Sequence, residues 1–128
     1  MDHMEQVRAL RADTQVHYNC CQSVLLPFAP ELGLTREQAY ALGTHFCSGM
    51  RHGSACGALA GALMVLGGLG GDEQQAQALL GRFRRDHGAT DCASLLRASH
   101  DRGEARKDHC DGLVYEMVQY LSQIGKPQ

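Results

Sequence analysis

The stretch that decides the fold is residues 54–68, SACGALAGALMVLGG. Leu59, Leu63 and Leu66 recur every three to four positions, as on one face of a helix, while Gly57 and Gly61 lay a smooth stripe beside them. Ser54 is placed to cap such a helix, and the small residues Gly57, Ala58 and Gly61 let a second helix approach its backbone closely. The stretch stays uncharged from Ala55 to Gly71, yet six of those 17 residues are Gly and the firmly apolar part, Ala55 to Leu66, is only 12 residues long. A bilayer needs about 20 apolar residues, so the segment predicts a central buried helix and no membrane span.

Helix signals extend outward on both sides. Met4, Val7 and Leu10, with Val16 as an outlier, predict an amphipathic first helix over about residues 4–16, and Glu5, Arg8, Arg11 and Asp13 fall on its other faces. Asn19 with Gln22, and Thr35 with Gln38, have the spacing of capping boxes, predicting helices from Cys20 and from Arg36 to about His45. Pro27 and Pro30 limit the former, and residues 47–53, CSGMRHG, read as a glycine-rich loop. Beyond the central stretch, GGLGGD is a stop and turn, and Asp72 caps a helix that ends at Gly88 with Ala76, Leu79, Leu80 and Phe83 inward. Asp91 or Thr90 caps the next, residues 101–107 form a charged connection, and Asp108 caps the last, with Leu113, Met117, Tyr120 or Leu121, and Ile124 on one face. The expected fold is all-α, one domain over residues 1–128 built as a single compact bundle of about six or seven short helices.

Composition agrees. Leu (16) and Ala (15) far outnumber the β-branched Val (6), Thr (4) and Ile (1) that sheets collect. A net charge of −2 gives no global attraction for nucleic acid or anionic lipid. The charged amino terminus, MDHMEQVRALRADTQ, carries no apolar run and does not read as a secretory signal, so a cytoplasmic, thiol-reducing location is expected.

In that setting six cysteines, at positions 20, 21, 47, 56, 92 and 110, call for a chemical reason other than structural disulfides. No C-x-x-C occurs, which removes zinc ribbons, thioredoxin-type motifs and covalent haem attachment. Cys20, Cys56, Cys92 and Cys110 instead share a place: each falls in a predicted first helical turn, where free amides and the helix dipole favour a thiolate. One helix end contributes only about 0.3 to 1 kcal/mol, or about 0.2 to 0.7 of a pKa unit. Four thiolates in one pocket repel one another, so convergence implies disulfide cycling, a metal ion or an iron–sulfur cluster. Incidental cysteines in a helical interaction module are the plain alternative. Seven histidines, among them His45, His52 and His109, and the loop residue Arg51 read as ordinary surface or capping groups, and Arg82, Arg84 and Arg85 as a solvated helix face.

The string CGALAG, residues 56–61, matches a CGAxxG core. With NCCQSVLLPFAPELGL before it and Cys92 and Cys110 after it, nearly the whole chain resembles the C-GCAxxG-C-C family, a bacterial and archaeal group of redox-active proteins named for four cysteines. The resemblance maps those four onto Cys20, Cys56, Cys92 and Cys110, and implies a thiol redox protein, of oxidoreductase type, that cycles between thiol and disulfide or passes electrons to a redox partner protein. The same four are the candidate ligands if a metal or cluster is bound. A related module occurs in split-Soret cytochromes, but the haem-attachment C-x-x-C-H is missing here. Two positions depart from the family: Cys21 stands where a small residue such as Ala is common, and Cys47 where Gly is usual. Cys20 and Cys21 lie about 100° apart around a helix axis, so Cys20 is expected to face the site and Cys21 the neighbouring packing, with Cys47 near the site but not required.

Overall fold

The computed structural model describes residues 2–124, and it is all-α: α1 (His3–Ala12), α2 (Cys20–Leu25), α3 (Arg36–Leu42), α4 (Gly57–Gly68), α5 (Glu73–His87), α6 (Cys92–Asp101) and α7 (Arg106–Ile124). No strand occurs among the described residues; a single backbone bridge joins Ala55 to Asp91.

Helix α4 is the centre. Ala58, Leu59, Ala62, Val65 and Leu66 are all buried, and α4 packs against α2, α7 and α5. The glycine stripe explains the closest of these contacts. A Cβ built on Gly61 would lie 3.0 Å from the Cys21 carbonyl oxygen and 3.2 Å from Val24 Cβ, and one on Gly57 would lie 2.6 Å from the Phe46 carbonyl oxygen. Hydrogen at Gly61 lets α2 cross α4 at this distance, and hydrogen at Gly57 makes room for the backbone at Phe46. The rest of the core comes from α5 (Leu79, Phe83) and α7 (Val114, Val118, Leu121), with Val7 of α1 and Phe28 closing it.

Both expected capping boxes form, and the first does more than start a helix. Asn19 Oδ1 accepts from the Gln22 amide at 2.8 Å and Gln22 Oε1 from the Asn19 amide at 2.9 Å, while Asn19 Nδ2 donates to the Gly43 carbonyl and Gln22 Nε2 to the Tyr40 carbonyl, both at 2.9 Å. The box therefore ties the end of α3 to the start of α2. Pro27 sits in a 3-10 turn, Leu26–Phe28, that continues α2.

Four boundaries differ from the sequence expectation. Helix α1 ends at Ala12, because the Asp13 carboxylate accepts from the amides of Gln15 and Val16 and turns the chain; Val16 is exposed. Helix α3 stops at Leu42, three residues short of His45, where Gly43 presses on Gln22. Ser54 is not a cap: α4 starts at Gly57 with Cys56 in the cap position. Helix α7 starts at Arg106, which puts Asp108 inside its first turn and Cys110 beyond it.

Candidate thiol site

The α1–α2 connection, the 47–49 loop and the starts of α4, α6 and α7 enclose a cavity of about 460 Å³, and Cys20, Cys47, Cys56, Cys92 and Cys110 all stand on its wall. Cys21, one residue from Cys20, is fully buried in the core between α2 and α4. The two cysteines therefore diverge as the 100° step between them requires.

Backbone, not side chain, sets Cys56 beside Cys92. The Cys56 amide donates to the Thr90 carbonyl at 2.9 Å and the Cys92 amide to the Ser54 carbonyl at 2.6 Å, so the starts of α4 and α6 are clamped as a pair. Gly49 fits under the clamp in a left-handed conformation (φ +62°), where a Cβ would lie 2.6 Å from Cys92 Cβ and 2.4 Å from the Ser54 carbonyl oxygen. Ser48, Met50 and Arg51 beside it also have positive φ, a concentration of backbone strain next to the thiols.

The thiols are not alike. Cys20 and Cys110 stand on the same cavity wall, and the mutual influence of their thiols is the largest cause of the shift at each. It raises the pKa of Cys20, which burial raises further, and lowers the pKa of Cys110, which the guanidinium groups of Arg11 and Arg106 lower further. Burial pushes the Cys56 thiol up, partly offset by the amides of Leu59 and Ala58, and pushes Cys92 up as well. The helix-start argument thus fails as a source of thiolates. Desolvation moves a pKa by up to about 3 to 5 units and outweighs a helix end worth well under one. The thiol that does ionise readily is the one lying past its helix's first turn.

Two arginines supply what the sequence pattern did not reveal. Arg11 read as a solvated face of α1, yet its side chain is only 7% exposed; Nε donates to Asp111 at 2.7 Å and Nη1 to the Tyr18 carbonyl at 2.8 Å. Arg106 read as part of a charged connection, but it opens α7 on the cavity wall and bonds Ser48 Oγ at 3.3 Å. The only hint was the placement of Arg106 four residues before Cys110, which shares its helix face. His109 is buried on the same wall, with a pKa lowered by desolvation. Arg51 instead donates to His45 Nδ1 at 2.9 Å on the exposed side of its loop.

Thiolate donors suit a soft metal, but among the described residues no three Cys, His, Asp or Glu side chains are grouped to hold an ion. The helical scaffold gathers five thiols around one cavity and lowers the pKa of one of them. Comparison with known families narrows the class: the profile of the family described as "Putative redox-active protein (C_GCAxxG_C_C)" matches residues 18–124, and the chain belongs to that family. No curated protein and no solved structure matches the chain. Among the described residues no helix is long and apolar enough to cross a membrane.

Proposed function

We propose that this chain is a dithiol–disulfide redox protein in which Cys110 is the attacking thiolate and Cys20 its resolving partner. One observation carries the reading: Cys20, Cys110, Arg11 and Arg106 share one cavity wall, where the Cys20 thiol and the two guanidinium groups lower the pKa of Cys110. The Cys110 thiolate attacks one sulfur of an incoming disulfide, forming a mixed disulfide and expelling the first thiolate. Cys110 then no longer carries charge, so Cys20 loses the interaction that held its proton. Its thiolate attacks the Cys110 sulfur, closing a Cys20–Cys110 disulfide and expelling the second thiolate. The protein gives up two electrons and the one proton that Cys20 carried, and the incoming disulfide leaves as one thiol and one thiolate, the latter taking its proton from solvent. Cys56 and Cys92 belong to the same site as thiols able to exchange with that disulfide, whereas Cys21 takes no part and Cys47 is dispensable.

The test is to titrate thiols in anaerobically purified protein before and after a mild disulfide oxidant, to map the linked peptides, and to measure iron and zinc in the same sample. The expected result is the loss of two thiols with a Cys20–Cys110 cross-link, retained in Cys21→Ser and Cys47→Ser and absent in Cys20→Ser and Cys110→Ser. Stoichiometric metal with thiolate-to-metal absorbance and no cross-link would replace this reading with the metal or cluster alternative.

A further inference from the structure

Resting on that assignment of Cys110, we infer that the disulfide it attacks is a low-molecular-weight one carrying carboxylate groups, not one held in a folded protein. The reacting sulfurs do not lie at the surface. Cys110 and Cys20 are only partly accessible, on the wall of a cavity of about 460 Å³. That volume lies in the range of small-molecule sites, about 300 to 1,000 Å³, and a small disulfide fits inside it with room to spare. A disulfide fixed between two strands or helices of a partner must bring its flanking backbone to the cavity wall along with its sulfur, whereas a small disulfide enters without that bulk.

The charge at the wall gives the class of substituent. Arg11, Arg106 and Lys107 face the cavity, and Asp13 is the carboxylate facing it from the α1–α2 connection. Arg11 and Lys107 share Asp111, at 2.7 and 2.8 Å. Asp13 is occupied with the amides of Gln15 and Val16. Arg106 is exposed, stands four residues from Cys110, and among the described residues makes no ion pair with a carboxylate. Its guanidinium acts on the Cys110 sulfur while that sulfur is a thiolate; once the mixed disulfide forms and that charge is spent, Arg106 receives the carboxylate of the bound half, while Leu10, Leu95 and Leu113 on the same wall accept the aliphatic arm that joins carboxylate to sulfur. The reaction balances: one dianionic disulfide and the protein dithiol give two small thiols and the Cys20–Cys110 disulfide.

The experiment uses the reduced full chain and three small disulfides alike in size, dithiodiglycolate (dianionic), hydroxyethyl disulfide (neutral) and cystamine (dicationic), with insulin as a protein disulfide. Each rate is divided by that of free 2-mercaptoethanol, a thiol with no other charge, with the same disulfide, to remove intrinsic reactivity. The expected normalised order is anionic, neutral, cationic, with steps of about two- to fivefold, as for exposed charge pairs, shrinking as salt is raised, and with insulin slowest. In Arg106→Gln, measured at a pH where absorbance near 240 nm shows Cys110 fully ionised in both proteins, the anionic-to-neutral ratio falls toward one. Equal normalised rates for all three small disulfides, or insulin reacting fastest, would overturn this inference while leaving the dithiol chemistry intact. Failure of wild type to react faster than Cys110→Ser with every disulfide would overturn the underlying reading instead.

Discussion

At Cys110 three neighbours act against desolvation: the Cys20 thiol, the Arg11 guanidinium and the Arg106 guanidinium. Together they bring its pKa to about 6, while Cys20 is pushed the other way. Alkylation by iodoacetamide therefore separates the six thiols. Cys110 should react with a rate that rises through pH 6 and levels off by neutral pH, whereas Cys20, Cys21, Cys56 and Cys92 remain slow until well into the alkaline range. Peptide mapping after short labelling at pH 7 checks this, and Cys20→Ala should shift the Cys110 profile to higher pH because the largest contribution to its acidity is gone. Arg11→Met should shift it in the same direction. The reason Arg11 escaped notice in the sequence is physical: an arginine among Glu5, Arg8 and Asp13 looks like any solvated charge, and only the meeting of α1 with Asp111 of α7 buries it.

Between elements, the decisive contact is α2 across α4, made close by Gly61, a residue without a side chain. Gly61→Leu would drive four carbons into the Cys21 backbone and Val24 Cβ, and should destabilise the fold by about 1 to 3 kcal/mol, read as a lower urea midpoint at unchanged slope. Asn19→Ala removes the α2 cap and the bond to Gly43 that holds the end of α3. The cap alone is worth about 0.5 to 2 kcal/mol, and the loss should exceed that of Thr35→Ala, whose capping box is exposed and ties nothing else. Both boxes were legible from residue spacing, since a capping box is closed within four consecutive residues. The starts of α4 and α7 were not. Ser54 looks like a cap, but its carbonyl is drawn into the bridge to Cys92, a contact 38 residues away, and Asp108 is simply overtaken by a helix that nucleates at Arg106.

For the molecule as a whole, the thiols make stability depend on pH with opposite signs. Cys20, Cys21, Cys56 and Cys92 have folded pKa values above the unfolded thiol, Cys21 through burial at about 12. Each contributes stability that is fully present below about pH 8.5, the unfolded value, and is lost as pH rises toward its folded one. Cys110 has a lowered folded pKa, so its contribution is present above about pH 8.5 and fades as pH falls toward 6. Four against one, the anaerobic urea midpoint should fall between pH 8.5 and 10.5, and Cys21→Ala should flatten that decline.

The sequence by itself determined the helices, the glycine seam on which α2 crosses α4, the divergence of Cys20 from Cys21 and the family, because each is written in spacings of a few residues or in a contiguous string. It also pointed to the four cysteines as a set. What only the tertiary structure decided is which of them ionises. That choice rests on Arg11, brought from 99 positions away onto the cavity wall that carries Cys110, and on the meeting there of Cys20 and Cys110, 90 positions apart. Local amides act within one turn of helix, whereas burial and facing charges depend on which helix ends the fold gathers around the cavity.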